Sequence, residues 1–355
     1  MPLPMKRTYG VGVIGGGGGI GLNHLDGFRQ SPHAKILAIA ETSEARGQDA
    51  CKRFGVADCH KDYRALLRRK DIEVVSIALP NYLHAKVAIE ALNAGKHVML
   101  DKPMATNARD AAKIVAAAKR ARRVFMVGQN MRFSPDSQRL KGLIEKGRLG
   151  EIYHARAFWY RRGGIPRIGS WFTQKKFAGG GACYDIGVHL LDLSLHLIGN
   201  FSPVAVSGSV SGRLGSKGIG DGGWGKSEID PRKIFDVEDR AVALIKLRGG
   251  VTVYLEVTWA SHEEIDNQYG VELYGEKAGA RWNPLKIYGP GPNGYVVEQV
   301  AQGPVPYPTE RMVHFMECVA RGKKPLVKPE QSLQVQRILD GIYESSRTGR
   351  EVRLK

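Results

Sequence analysis

Residues 11–24 read VGVIGGGGGIGLNH, and this stretch decides the fold. The apolar run at 11–14 predicts a buried strand, and the residues after Gly21 can form a helix. Between them, Gly16-x-Gly18-x-x-Gly21 has the spacing of a dinucleotide-binding turn, whose glycines permit a tight turn, the approach of a diphosphate and close helix packing. Free N–H groups at the helix N-terminus would bind the diphosphate. Five glycines in a row allow more than one register, and a merely flexible loop is the alternative.

Strand and helix patterns alternate through the first third of the chain. Apolar runs predict further strands at 35–40, 74–79, 97–100 and 124–127, and helical periodicity predicts helices at 44–54, 62–69, 83–94 and 108–121. Repeated units of this size imply a doubly wound parallel sheet with helices on both faces. Ligands of such sheets bind at the carboxyl ends of the strands, so the residues that follow each strand are the candidate ligands.

The pattern changes after about residue 130. Strands are predicted at 152–160, 204–210, 241–247, 251–258 and 268–274, and helices at 136–146, 185–198, 310–320 and 331–346. Gly249-Gly250 predicts a hairpin, and the glycine-rich segment 212–226 predicts a long loop. We therefore expect an α/β protein of two domains. Residues 1–130 form the domain with the parallel sheet, and residues 131–355 form an α/β domain with a largely antiparallel sheet, whose C-terminal helices could pack back on the first domain.

Composition excludes several classes of protein. The 355 residues carry a formal net charge of +18, which can attract anionic ligands. The basic residues are spread along the chain, which argues against nucleic acid as the main ligand. The four cysteines show no C-x-x-C spacing, which indicates reduced thiols. Residues 1–10 lack the apolar segment of a signal peptide, and no stretch is long enough to span a membrane. We expect a cytoplasmic protein that binds neither nucleic acid nor membranes.

Glu41 follows the second predicted strand, twenty residues after Gly21. A carboxylate at this place can bind the adenosine ribose hydroxyls, and it repels a 2′-phosphate. Thr42 and Ser43 follow it, and no arginine comes directly after. The pattern therefore favours NAD over NADP, with an acid that merely leads the next helix as the alternative.

Lys102 stands between Asp101 and Pro103, just past the end of a predicted strand. A lysine near the nicotinamide can hydrogen-bond a substrate hydroxyl and stabilise negative charge that develops on its oxygen. A surface lysine without a ligand is the other interpretation of this position.

Asp185 and His189 are four residues apart and would share one face of a helix. A histidine beside a carboxylate can act as a general base near neutral pH. A buried structural histidine is one alternative, and a metal site completed by His196 is another. No H-E-x-x-H pattern supports a metal, so we expect none.

Several motifs occur together in the order and spacing of one family. They are the glycine turn, Glu41, PNYLH at 80–84, DKP at 101–103 and GGAxxDIGVH at 180–189. With them the chain resembles the glucose–fructose oxidoreductase / inositol dehydrogenase (Gfo/Idh/MocA) family, whose usual Glu-Lys-Pro is Asp-Lys-Pro here. The resemblance implies a Rossmann domain followed by an α/β domain with a large open, mostly antiparallel sheet, through which homodimers or homotetramers form.

The resemblance also implies an NAD-dependent oxidoreductase that transfers a hydride between nicotinamide and a secondary hydroxyl of a sugar, sugar derivative or inositol. Lys102, Asp185 and His189 are the implied catalytic residues. His189 takes the hydroxyl proton, Lys102 orients the hydroxyl, and Asp185 holds a neighbouring hydroxyl or the histidine. The residues expected at the cofactor are Gly16, Gly18, Gly19, Ile20, Gly21, Glu41, Thr42, Pro80, Asn81, His84, Asp101, Lys102 and Gln129.

Aromatic and basic residues before His189 are expected at the substrate. Tyr160, Arg162 and Trp171 are the candidates, because rings stack on sugar C–H faces and arginine donates to hydroxyls. A structural loop is the alternative. The basic residues of 161–176 leave a phosphorylated or acidic sugar open. Two other functions also stay open: an NAD-assisted glycoside hydrolase of the same fold, and a non-catalytic NAD-binding regulatory protein.

Overall fold

The computed structural model describes residues 7–225 and 228–354. Two predicted segments, 1–10 and 212–226, lie partly outside the described residues: the first at residues 1–6 and the second at residue 226. The chain forms two compact units. The first contains the described residues up to Gly128 together with Pro308–Leu333, and the second contains the remainder. No helix in the described part has the length and apolar character needed to cross a membrane.

The first unit alternates strands and helices. They are β1 (Tyr9–Ile14), α1 (Gly19–Arg29), β2 (Ala34–Ala40), α2 (Glu44–Phe54), β3 (Asp58–His60), α3 (Arg64–Arg68), β4 (Val74–Ile77), α4 (Asn81–Asn93), β5 (His97–Leu100), α5 (Ala108–Ala121) and β6 (Phe125–Val127). The strands form a parallel sheet in the order β3-β2-β1-β4-β5-β6. This is the strand order of dinucleotide-binding doubly wound sheets. The predicted Rossmann domain is confirmed.

Local chemistry explains where these helices start and stop. The side chains of Ser43 and Asn107 accept backbone N–H groups at the first turns of α2 and α5. Gly55 ends α2 in the left-handed conformation, with φ of 65°. Strands β1 and β4 are buried along their whole length, as expected for central strands covered by helices on both faces.

The second unit is built around a larger sheet. Its elements begin with α6 (Pro135–Glu145), β7 (Ile152–Arg161), α7 (Lys175–Ala178) and α8 (Val188–Ile198), and continue with β8 (Pro203–Ser211), β9 (Arg240–Leu247), β10 (Thr252–Thr258), β11 (Asn267–Gly275), β12 (Gly279–Trp282), β13 (Lys286–Gly291) and β14 (Gly294–Gln299). A π-helical turn, Cys183–Gly187, leads directly into α8. Helix α9 (Arg311–Arg321) belongs to the first unit, α10 (Pro329–Thr348) spans the division after Leu333, and β15 (Val352–Arg353) belongs to the second.

The nine strands follow the order β14-β13-β12-β11-β7-β10-β9-β8-β15. Only β7 and β10 pair in parallel among these neighbours, so the prediction of a mostly antiparallel sheet is confirmed. Val253, Leu255 and Val257 of β10 are fully buried, and the residues between them are half-buried. This alternation defines an inner face, which packs against the apolar helix α8 and the rest of the core.

Five short strands were not predicted individually: β3, β12, β13, β14 and β15. Strand β3 has three residues without an apolar run, β12 contains glycine and arginine, and β15 has two residues. Each is held by pairing with a longer neighbour rather than by its own pattern. The helix predicted at 185–198 begins instead with the π turn at Cys183, because a single wide turn leaves no signature in a 3.6-residue period.

Candidate active site

The turn between β1 and α1 exposes backbone that can hold a diphosphate. Gly15 has φ of 79°, and its N–H donates to the carbonyl oxygen of Ala40 at 2.8 Å. A Cβ on Gly21 would lie 2.0 Å from the carbonyl oxygen of Gly15, so only glycine permits this close approach of helix and turn. Helix α1 starts after Gly18 with no side-chain cap on its first N–H groups. Those donors fit an anionic diphosphate.

The structure also determines the register of the glycine run. The positive φ falls on Gly15, one residue before the first glycine of the predicted Gly16-x-Gly18-x-x-Gly21 pattern. A Cβ on Gly16 would lie 2.6 Å from Cγ2 of Ile39, whereas a Cβ on Gly19 would meet nothing within 4 Å. Ile20 is exposed on the first turn of α1. The open side of the turn is therefore at Gly18 and Gly19.

Glu41 lies beside this turn, at the end of β2. Its carboxylate accepts the N–H groups of Gly17 and Ser43, both at 3.1 Å, and pairs with Arg46 at 3.1 Å. The hydroxyl of Thr42 donates to the same carboxylate at 3.4 Å. Because Glu41 is buried and held by the glycine turn itself, its position fits the recognition of ribose hydroxyls next to the diphosphate.

The remaining predicted cofactor residues of the first unit follow β4 and β5. Pro80 and Asn81 begin α4, and Asn81 is buried. Asp101 and Lys102 follow β5 directly, and Lys102 is partly exposed. Since β4 and β5 are neighbouring parallel strands, these residues meet at one edge of the sheet.

His84 supports the backbone of this edge. Its ring nitrogens lie 2.7 Å and 2.8 Å from the carbonyl oxygens of Pro103 and Leu79, and the ring has no exposed surface. Burial lowers its pKa, although both carbonyls and Asp101 act in the opposite direction. The sequence predicts that His84 binds the cofactor, but the structure uses both ring nitrogens to fix the segment that carries Lys102. These contacts stabilise the main chain around Lys102, and the cofactor role of His84 stays a prediction.

A second buried histidine connects α1 to the same edge. Nδ1 of His24 lies 2.8 Å from the hydroxyl of Ser76, and Nε2 lies 3.5 Å from Oδ1 of Asp101. Burial lowers the pKa of His24. Burial acts to raise the pKa of Asp101, but His24, Arg311 and Lys102 outweigh it and hold the pKa of Asp101 well below its usual range. Asp101 is thus an ionised group within the fold, and its contact with His24 is one that sequence analysis missed.

Gln129 is the first residue of the second unit and is almost completely buried. Its side-chain carbonyl oxygen has no hydrogen-bond partner among the described residues. A buried acceptor without a donor usually indicates a missing ligand or water. This observation fits the prediction that Gln129 binds the cofactor.

In the second unit, Glu238 organises the start of the helix that carries Asp185 and His189. Its buried carboxylate accepts the N–H groups of Gly181 and Cys183 at 2.9 Å. Burial raises the pKa of Glu238, although these donors act in the opposite direction. A Cβ on Gly181 would lie 1.9 Å from the carbonyl oxygen of Glu238, which explains the glycine at this position. Because Glu238 is far away in sequence, its capping role left no local signal.

Asp185 lies within the π turn, and His189 is the second residue of α8. The indole Nε1 of Trp259 donates to Oδ2 of Asp185 at 3.0 Å. Trp259 is itself fully buried and directly follows β10. The carboxylate therefore has a fixed orientation. Single π turns recur at functional sites, which supports the choice of this helix as the catalytic one.

Strand β7 separates the predicted substrate residues by face. Trp159 pairs with the inward Val257, so Trp159 and Arg161 share the inner face. Tyr160 lies on the outer face and donates to Glu256 at 3.1 Å. Arg162 is exposed and donates to the carbonyl oxygens of Glu263 and Glu264.

Trp171 stacks on Phe172, with ring centroids 3.8 Å apart. Tyr160 points away from Asp185 and Arg162 binds a loop, so these contacts do not support their predicted roles in substrate binding, which stay predictions. Arg161 is the β7 arginine on the face of Asp185, and the strict alternation of a strand could have identified it.

Among the described residues, no group of three or more His, Cys, Asp or Glu side chains could hold a metal ion. Asp192 instead forms a buried bidentate pair with Arg132, at 2.7 Å and 2.6 Å. His196 is buried close to this pair, and burial lowers its pKa to about 2.

Comparison with known proteins gives the family. Residues 9–129 match the model described as "Oxidoreductase family, NAD-binding Rossmann fold", and residues 137–281 match the GFO/IDH/MocA C-terminal domain. A D-glucoside 3-dehydrogenase of Escherichia coli (strain K12) is 29% identical over 97% of each chain. A levoglucosan dehydrogenase of Pseudarthrobacter phenanthrenivorans is 32% identical over 78% of this chain and 74% of its own.

Solved structures agree with these matches. A levoglucosan dehydrogenase in complex with NADH and levoglucosan superposes with a TM-score of 0.84 and 26% identity, covering 98% of this chain and 100% of that one. An oxidoreductase domain protein from Kribbella flavida gives a TM-score of 0.86 at 26% identity over the same shares. These matches agree with the Rossmann sheet and with the glycine turn beside Glu41. The chain therefore belongs to the GFO/IDH/MocA family of NAD-binding oxidoreductases.

Proposed function

We propose that the protein is an NAD-dependent dehydrogenase that acts on a secondary hydroxyl of a sugar or a related polyol. The observation that carries the proposal is the uncapped N-terminus of α1 beside the buried Glu41, which fits a dinucleotide whose ribose hydroxyls are free. Relatives that are named sugar dehydrogenases support the substrate class. Glu41 favours NAD over NADP, because a 2′-phosphate would meet a carboxylate.

Three residues perform the chemistry in this proposal. His189 accepts the proton of the hydroxyl, and Lys102 hydrogen-bonds the same oxygen and stabilises its developing negative charge. Asp185, fixed by Trp259, holds a neighbouring hydroxyl or the imidazole. Bound nicotinamide supplies the hydride acceptor at C4. The family motifs assign these three residues to one substrate. Lys102 belongs to the first unit, and Asp185 and His189 belong to the second.

A spectrophotometric screen tests the function. NAD and NADP would each be offered with aldoses, inositols, glycosides and sugar phosphates. The formation of NADH or NADPH would be followed by absorbance. Accumulation of NADH on a free sugar or polyol is the expected result. Glycoside cleavage without net NADH would indicate a hydrolase, and tight NAD binding without any turnover would indicate a regulatory protein. His189→Ala and Lys102→Ala should still bind NAD but lose turnover. Wild-type turnover in both would refute the catalytic assignment.

We also propose a homodimer or homotetramer formed through the sheet of the second unit, in a cytoplasmic protein. Edge strand β14 leaves Tyr295 and Val297 exposed at 76% and 60%. Apolar side chains on an open sheet edge favour association with another copy. Light scattering should give a mass above that of one chain, and a monomer would contradict the proposal. The cytoplasmic location is supported by four free thiols.

A further inference from the structure

Arg161 is the last residue of β7 and lies on the inner face of the sheet, on the side of Asp185. Its guanidinium carbon lies 4.6 Å from the ring centroid of Trp159. Among the described residues, the guanidinium makes one hydrogen bond, to the carbonyl oxygen of Gly164 at a long 3.5 Å, and no ion pair. The stem packs closely against Gly164, where a Cβ would lie 2.4 Å from Cδ of Arg161, so glycine leaves the space that the stem occupies.

Three other arginines of the same unit, Arg132, Arg156 and Arg162, have more or stronger polar partners. Arg132, which is fully buried, has the bidentate pair with Asp192. Arg156, on the outer face of the same strand, pairs with Glu272 at 3.5 Å. Arg162, next in sequence, donates to two carbonyl oxygens of the adjoining loop. Arg161 therefore differs from these neighbours in presenting most of its five donors without an acceptor.

Partial burial of the Arg161 guanidinium disfavours its charge, and an anionic ligand would offset that cost. Burial lowers the pKa of Arg161, and the charge of Asp185 acts in the opposite direction without forming an ion pair. A half-buried cation with few hydrogen bonds is stabilised most by an anion that accepts two parallel N–H donors, as carboxylates and phosphates do. The ring of Trp159 supplies a flat apolar platform beneath it. The net charge of +18 also attracts anions to the molecule.

We infer that Arg161 binds an anionic group of the substrate, so that the sugar oxidised by this protein carries a carboxylate or a phosphate. The inference rests on the proposed function, and it specifies the substrate class for that site. Arg161 acts in binding, whereas the proton and hydride steps are left to the residues already named. Removing its charge should therefore raise KM for the anionic sugar and change kcat little.

The experiment compares matched sugars on matched variants. D-Glucose, D-glucuronate, D-gluconate and D-glucose 6-phosphate, with the corresponding galactose series, are offered with NAD to the wild type, Arg161→Gln and Arg161→Lys. Arg248→Gln is the control, because Arg248 is exposed in the hairpin between β9 and β10. Circular dichroism and NAD binding verify that each variant is folded.

The wild type should prefer at least one anionic sugar to its neutral parent by tenfold or more in kcat/KM. Arg161→Gln should remove that preference by a tenfold or larger rise in KM for the anion, and Arg161→Lys should retain part of it. The uronate, aldonate and phosphate arms identify which anion is bound. A wild type that favours neutral sugars, or an Arg161→Gln that affects acid and neutral parent equally, overturns the inference while leaving the dehydrogenase intact. Absence of NADH formation with every sugar refutes the proposed function and the inference with it.

Discussion

The indole of Trp259 donates a 3.0 Å hydrogen bond to Oδ2 of Asp185 and fixes the carboxylate in the π turn. Replacing Trp259 by Phe keeps an aromatic ring in the core and removes the donor. A hydrogen bond to a charged group contributes about 1.5–3 kcal/mol, so we expect kcat to fall by about 10- to 100-fold. Steady-state kinetics over a range of pH measure this loss.

Trp282→Phe is the matched control for that variant. Trp282 is also buried, and its Nε1 has no hydrogen-bond partner within the described residues. Its replacement loses similar volume without a loss of hydrogen bonding to Asp185. Equal effects of the two substitutions on kcat would show that core packing, rather than the bond to Asp185, is responsible.

Glu41 should determine the choice of cofactor. Glu41→Ser removes the carboxylate that repels a 2′-phosphate. Arg46, which pairs with Glu41 in the wild type, then becomes free to bind that phosphate. We expect the ratio of NADH to NADPH affinity to shift towards NADPH by about tenfold or more, an energy of about 1.4 kcal/mol. Titration of nicotinamide fluorescence measures both affinities. Glu44→Gln is the control, because Glu44 is an exposed residue of α2, the helix that contains Arg46, and this change should leave the affinity ratio as it is. An unchanged ratio in Glu41→Ser would show that Glu41 is not part of the cofactor site.

Gly21 should tolerate no side chain. Gly21→Ala would bring a methyl group to 2.0 Å from the carbonyl oxygen of Gly15, so α1 or the turn must move. We expect NAD affinity to fall by more than tenfold, measured by calorimetry, with a lower melting temperature. Gly142→Ala, in helix α6 with open space around its Cβ, is the control and should keep NAD affinity while gaining about 0.5–1 kcal/mol of stability. Normal NAD binding by Gly21→Ala would contradict the diphosphate site.

Sequence analysis was most successful where a signal is local. The strand at residue 97 and the helices at 44 and 108 were predicted to the residue, because apolar runs and helical periodicity are contained within the segment itself. The glycine spacing and Glu41 likewise predicted the Rossmann turn. Its register stayed open, since only tertiary contact shows which glycine takes positive φ.

The rest depended on contacts between distant residues. Glu238 caps a turn more than fifty positions earlier, and His24 contacts Asp101, which is far from it in sequence. Neither contact leaves a local pattern in the chain. His84 was assigned to the cofactor by motif, although its ring is occupied by main-chain carbonyls. Tyr160 and Arg162 were chosen by residue type alone; strand alternation would have favoured Arg161 instead.

The buried His196 should make stability depend on pH. Burial, with the charges of Arg132 and Lys141, lowers its pKa to about 2, whereas an unfolded histidine has a pKa of about 6.5. Between these values only the unfolded chain binds the proton, so stability that is present above pH 6.5 is lost as pH falls. At pH 5 this loss reaches about 2 kcal/mol. Denaturant titrations at pH 7 and pH 5 should therefore show that His196→Gln loses less stability on acidification than the wild type, by about that amount.

The comparison of two pH values separates this effect from packing. Any cavity or lost contact in His196→Gln lowers stability by the same amount at both pH values, and the other buried histidines contribute equally to variant and wild type. His262→Gln, an exposed change in the same unit, should retain the full acid sensitivity of the wild type. If His196→Gln keeps it as well, then the imidazole of His196 is protonated in the folded protein, and its neighbourhood must admit water or an anion that offsets the charge of Arg132.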